Sequence, residues 1–229
     1  MLAIIQCRFN SSRLPGKALL KLAGKETLSR CVSRVKSANL VSNVLVATSK
    51  NKTDMPIVEF CNSEKLDVFL GSLNDVVQRL HDAAKFKNCQ KFLRICGDSP
   101  LIDPQIIDHA ISLSKASEFD LVTNVFPRTF PKGQSVEIVK TSVLKRILNE
   151  NRSTSQMEHP TSFIYENFER FRICSFSSGG DFANCNHSID NESDLKSANM
   201  VFKVNNGPTI SWQEIEAIYH KNKLTNCVK

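Results

Sequence analysis

Short apolar runs alternate along this chain with longer stretches of helical spacing. Residues 2–7 (LAIIQC) form a run of the kind that makes a fully buried strand, and 43–48 (NVLVAT), 68–70 and 91–96 (KFLRIC) repeat it. Between these runs, residues 27–38 place Leu28, Cys31, Val32 and Val35 on one helical face, with Thr27 as the N-cap. Residues 54–63 form a second helix with Pro56 near its first turn, and Asn74 or Asp75 caps an amphipathic third that reaches Lys87. Further on, a helix over 104–115 suits Asp103 as its cap. Residues 120–124 (DLVTN) are a fifth strand, 136–139 a strand carrying Glu137, 141–150 a capped helix and 171–176 another strand. Pro160 interrupts 154–167, and 177–186 is a polar turn. A helix opens at Asp194-Leu195 and runs to about Phe202, Gly207-Pro208 marks a break, and 211–222 is a terminal helix with Ser211 and Glu214 as a capping box. This alternation predicts an α/β fold, a doubly wound, mostly parallel sheet in a three-layer α/β/α sandwich.

Open α/β sheets bind ligands beyond the carboxyl ends of their strands, so the polar residues that follow each apolar run are the first candidates for chemistry. The first run leads through Gln6 into residues 8–17 (RFNSSRLPGK), which hold three cations (Arg8, Arg13, Lys17), two hydroxyls (Ser11, Ser12) and a closing Pro15-Gly16. Arginine offers planar multidentate donors to phosphate oxygens, lysine a compact charge, and a tight loop adds backbone N–H groups. A polyphosphate-binding loop follows; on charge alone, a solvated basic loop fits equally well. The spacing is not GxxxxGK[ST], which disfavours a P-loop enzyme. The second and third runs end in Thr48-Ser49 and Gly71-Ser72, where a base and ribose would sit. The fourth runs into GDSPLIDP, whose Asp98 suits Mg²⁺ bridging to phosphates or, alternatively, caps the following turn.

Composition narrows the partners. The formal charge of +7 admits nucleic acid, but the basic residues are dispersed, aromatics make up only 7%, and no stacking motif is present. A small anionic substrate explains the excess, and nucleic acid is not expected. Eight cysteines without a C-x-x-C pair give neither a metal nor a disulfide framework, so a reduced, cytoplasmic protein is expected. The apolar start is too short for a signal peptide, and no run approaches the ~20 residues of a membrane span.

The pattern Q-x-R-x-x-S-x-R-L-P-G-K (Gln6, Arg8, Ser11, Arg13, Leu14 to Lys17) resembles the amino-terminal signature of cytidylyltransferases of the CMP-sugar acid synthetase type. The SpsF-like branch, named for spore coat polysaccharide biosynthesis, is the most similar. GDSPLIDP resembles the GDxPLIDP element, whose first Asp, here Asp98, binds the catalytic metal. Residues 126–137 (FPRTFPKGQSVE) resemble the FPxGxDVE segment of the acceptor side, which implicates Glu137; Ser135 stands where that pattern has Asp. Glu158-His159 matches an EH element near the acceptor, implicating His159, and the D-x-x-x-D-L stretch makes Asp190 the second metal carboxylate. Arg79 matches the arginine after the Gly-Ser turn and faces base or acceptor. The resemblance implies Mg²⁺-dependent transfer of CMP from CTP to a sugar acid for surface glycan assembly, with release of pyrophosphate, in a homodimer. It also implies one domain in three parts: a nucleotide core over 1–125, an acceptor and dimerisation insertion over 126–176, and a segment over 177–229 with the second carboxylate. Transfer to a sugar phosphate, and a nucleotide-binding module without catalysis, are the alternatives.

Overall fold

The structure is a computed structural model that describes residues 1–222 apart from Ser12, Asn206 and Pro208. The Ser12 hydroxyl, Pro208 of the expected break, and Cys227 lie outside the described residues. Strand β1 (Leu2–Gln6) is followed by a small hairpin, β2 (Lys21–Leu22) and β3 (Lys25–Glu26), and by helix α1 (Thr27–Lys36). The hairpin was not foreseen, because two-residue strands carry no periodicity. Thr27 is the first helical residue rather than the cap; Glu26 holds that position, and the Thr27 hydroxyl donates to the Leu20 carbonyl at 2.9 Å. Then come β4 (Asn43–Ser49), α2 (Met55–Ser63), β5 (Asp67–Gly71), α3 (Val76–Phe86), β6 (Lys91–Cys96) and α4 (Pro104–Ala116). Asp75 and Asp103 cap α3 and α4 through their carboxylates.

The second half holds β7 (Leu121–Thr123), β8 (Glu137–Lys140), α5 (Thr141–Leu148), α6 (Thr154–Glu158), α7 (Ser162–Glu166), β9 (Ile173–Ser175), α8 (Glu192–Val204) and α9 (Trp212–Lys221). The helix expected to open at Asp194 begins two residues earlier: Asn191 is the N-cap and Asp194 closes its capping box. Helix α5 has no side-chain cap, contrary to expectation.

Seven strands form one sheet in the order β5-β4-β1-β6-β8-β7-β9, and only β8 runs antiparallel to its neighbours. Burial follows the two-residue alternation of each strand. Ala3, Ile5, Val44, Val46, Leu93 and Ile95 enter a core under α1, α2 and α4. Ile4, Leu45, Ala47, Phe92 and Val139 enter a second core under α3, α5 and α7. Both faces are covered, as a parallel sheet requires. A smaller third cluster packs the hairpin, α8 and α9 around Leu22, Phe202 and Ile215. Trp212 is buried against Phe130 and Phe182 at ring-centroid distances of 5.6 and 4.8 Å.

After β1 the chain turns to β4 and β5 on one side, then returns to β6 on the other. The carboxyl ends of β1 and β6 therefore flank the switch point, where such sheets open a crevice.

Candidate active site

A cleft of about 530 Å³ opens at that point, within the range of small-molecule sites. The loop over residues 8–17 is built on Phe9. Its N–H donates to Asp54 Oδ1 at 2.8 Å, and its carbonyl accepts from the N–H groups of Ser11 and Gly16 at 3.1 and 2.9 Å. Gly16 has φ 71°, and a Cβ there would lie 3.1 Å from the Phe9 ring, so glycine serves both the backbone and the close approach. Asp54 is fully buried and also accepts the Ser49 hydroxyl at 2.5 Å. It ties the loop to the end of β4, a role the sequence did not suggest because Asp54 reads there as the start of a helix.

The charges meet across the cleft. Lys17 Nζ lies 2.7 Å from Asp98 Oδ2, 3.1 Å from Asp190 Oδ1 and 2.8 Å from the Ile189 carbonyl. Arg13 Nη2 lies 2.9 Å from the same Asp190 oxygen. Burial alone would lower the pKa of Lys17, but the two carboxylates outweigh it and hold the amine above its ordinary value. The Ile189 N–H donates to the Asp98 carbonyl at 2.9 Å, which brings the segment before α8 to the end of β6.

On the opposite wall, Arg8 pairs with Glu158 at 2.6 Å beside His159. Helix α6 is held there by Arg152, which grips Asp75 at the N-cap of α3 with two bonds of 3.0 and 2.7 Å. Arg152 had no sequence motif to mark it. Arg79 is only 1% exposed; Nη1 donates to the Ser72 carbonyl at 2.5 Å, while Nε has no partner. Burial, with Arg8 adding to it, pushes its pKa down to about 10.

Of the expected site residues, the cleft gathers Gln6, Arg8, Ser11, Arg13, Lys17 and Arg79 on the nucleotide side. Asp98, His159 and Asp190 line it as well. It does not gather Thr48, Gly71, Ser72 or Glu137. Thr48 is fully buried. A Cβ at Gly71 would lie 2.7 Å from Arg79 Cγ, so that glycine makes room for the arginine stem. The Ser72 hydroxyl accepts the Asp75 N–H at 3.1 Å. Glu137 is 2% exposed and committed to Arg94, with Tyr165 donating to its other oxygen. Arg94 in turn donates to Gln6 Oε1 at 2.8 Å, so Glu137 reaches the cleft only through two other side chains.

His187 anchors the Asp190 segment from below. Gln134 Nε2 donates to its Nδ1 at 2.9 Å, which leaves Nε2–H to donate to Glu216 of α9 at 2.6 Å. Gly133, at φ 84°, lies against this segment; a Cβ would come within 2.6 Å of the His187 backbone. Burial lowers the pKa of His187 from its ordinary 6.5, although Glu216 opposes the shift. A base with a depressed folded pKa binds more protons when unfolded, so stability falls as pH drops from the ordinary value of 6.5 toward the lower folded one. Denaturant titrations between pH 7 and 5 should show this loss, and His187→Gln should flatten it; an equal slope in both proteins would disprove the assignment.

A mostly parallel α/β sandwich with a cationic loop and paired carboxylates across its switch point defines a nucleotide-handling class. The comparisons with known proteins carry this further. The chain belongs to the cytidylyltransferase family, whose profile matches residues 2–226, and is thus a nucleotidyltransferase. It is 27% identical over 232 aligned positions to the spore coat polysaccharide biosynthesis protein SpsF of Bacillus subtilis, covering 97% of this chain and 95% of that one. It is 34% identical over 110 positions to a 3-deoxy-manno-octulosonate cytidylyltransferase of Geobacter sulfurreducens, covering 48% and 43% of the two chains. The solved structure of a cytidylyltransferase from Leptospira borgpetersenii superposes with a TM-score of 0.93 at 29% identity, over 99% of this chain and 97% of that one. Among the described residues, no helix is long and apolar enough to cross a membrane.

Proposed function

We propose that this protein transfers CMP from CTP to a sugar acid with release of pyrophosphate, in a Mg²⁺-dependent reaction that serves surface polysaccharide assembly. The observation that carries the reading is the convergence of Asp98 and Asp190 on one point, ringed by Lys17 and Arg13. Two carboxylates without a third Asp, Glu, His or Cys among the described residues suit Mg²⁺, which keeps several waters and takes its remaining ligands from substrate phosphates. They do not suit a cation that needs a full protein cage. Asp98 and Asp190 would hold the ion, and it would neutralise charge that develops on the phosphate oxygens.

The protein's own groups account for the rest. Arg8, Arg13 and Lys17 offset the triphosphate charge, and the buried Arg79 contributes a second cation behind Arg8. The acceptor oxygen attacks the α-phosphorus in line, and the bond to pyrophosphate breaks as the new P–O bond forms. Catalysis of this kind is positioning and electrostatics, with no covalent enzyme intermediate. No thiol is needed: even at the half-buried Cys96, which lines the cleft, desolvation pushes the pKa up to about 11, far from a reactive thiolate. The name of the 3-deoxy-manno-octulosonate cytidylyltransferase supports a sugar acid as acceptor, and His159, which lines the cleft, is a candidate contact for it.

Calorimetric titration with CTP, ATP, GTP and UTP, followed by pyrophosphate release from CTP in a screen of 2-keto sugar acids, tests the reading. Selective CTP binding and Mg²⁺-dependent release with one of the acids are expected. CTP binding without release for any acid would overturn it.

A further inference from the structure

The wall of the cleft continues past its lining residues along one row of the sheet. Cys96 lies opposite Gln6 where β6 pairs with β1, and both side chains line the cleft. Where β6 pairs with β8, Arg94 lies opposite Glu137. Because β8 runs antiparallel to β6, Ser135, two residues before β8, comes at the carboxyl edge of β6, where Cys96 lies. Face alternation agrees. Val136 and Ile138 are buried in the core under α1, α2 and α4, which turns residues 135 and 137 to the cleft side. Ser135 is half-buried there, at the open edge.

Ser135 holds Arg128. The chain turns back after β7 through a bridge between Val125 and Arg128, and Arg128 Nη1 donates to the Ser135 hydroxyl at 3.1 Å. Among the described residues, no carboxylate lies within ion-pair distance of this half-buried guanidinium. The nearest acid that acts on it, Glu137, is committed to Arg94 and Tyr165. A guanidinium has five N–H donors in a planar fork that matches a carboxylate, and here a neutral hydroxyl orients the fork without neutralising it. Three cations of the cleft differ: Arg8, Arg13 and Lys17 all face carboxylates.

We infer that Arg128, oriented by Ser135, binds the carboxylate of the acceptor and sets the preference for an acid over a neutral sugar. The inference rests on the proposed function and names the residue that would read the acceptor. Arg128 sits one strand beyond the phosphate-facing residues, so an acceptor bound to it by its carboxylate extends back along the row toward Gln6 and the nucleotide.

The test uses whichever 2-keto sugar acid gives pyrophosphate release, beginning with 3-deoxy-manno-octulosonate, beside its carboxamide. In the wild type the acid should be preferred over the amide. Arg128→Gln should raise the KM for the acid by about tenfold or more, with the KM for the amide and the Kd for CTP unchanged, so that the preference disappears. Arg128→Lys should recover part of the loss. An unchanged acid-to-amide preference in Arg128→Gln, with release intact, would overturn the inference and leave the proposed function standing. Release with no acid at all, despite CTP binding, would remove the proposed function first. A loss of CTP binding in Arg128→Gln would assign the residue to structure instead.

Discussion

Asp98→Ala should lower the rate of pyrophosphate release by about two to three orders of magnitude, the scale seen when a preorganised electrostatic group is removed from a site. Asp98 is the closest carboxylate to Lys17 Nζ, at 2.7 Å. Without it, one carboxylate remains to hold a divalent cation, and Lys17 is free to swing toward Asp190, where Arg13 already sits. All the nucleotide cations remain, so CTP affinity measured without Mg²⁺ should stay within a few-fold of wild type while the Mg²⁺ dependence of the rate is lost. Rates across a Mg²⁺ titration, with calorimetry alongside, separate the two. A rate unchanged by the substitution would show that the carboxylate pair is an internal salt bridge and nothing more.

Glu137→Ala should destabilise the fold by roughly 3–5 kcal/mol, the cost of breaking a buried ion pair from one side. Its partner Arg94 lies mid-strand in the sheet and would be left with Gln6 and the Cys96 sulfur as neutral contacts. Burial would raise the pKa of Glu137, yet Arg94 and the Tyr165 hydroxyl hold it below the ordinary carboxylate value. Its contribution is therefore full above that value and lost as the pH falls through it. Denaturant unfolding at neutral pH measures the cost, and the double variant Arg94→Met, Glu137→Leu should recover most of it. If Glu137 acted by touching the acceptor, the single variant would change KM and leave unfolding alone.

That contrast marks how far the sequence could be read. The buried strands were legible because β1, β4 and β6 are continuous apolar runs, and the charged residues behind them could face only the sheet's edge. Lys17, Asp98 and Asp190 were found separately, as a loop cation and two motif carboxylates; their meeting on one nitrogen is a product of the topology. The motif around Glu137 points to the acceptor, but its identity says nothing of its partner, and Arg94, in the middle of an apolar run, reads as an ordinary strand residue. Asp54 and Arg152 escaped notice for a related reason. Each acts through a contact more than forty residues away, to Phe9 and Asp75 respectively. Thr48 and Ser72 stand at the carboxyl edge of the sheet, but Thr48 is fully buried and the Ser72 hydroxyl is taken up by the Asp75 N–H.

The lone reversed strand has a consequence for how such an enzyme can change. The nucleotide side is built from crossover connections, in which each loop is locked between a strand and the helix that covers it. β8 is joined to β7 by the loop over 124–136, without a crossover helix, and Arg128 and Ser135 meet within it. Gly133 and Gln134 of this loop also hold His187 and, through it, the Asp190 segment. On the proposed reading, one loop thus carries both the acceptor contact and a support of the carboxylate site, so a change of acceptor should come by substitution around Arg128 and Ser135 rather than by insertion or deletion.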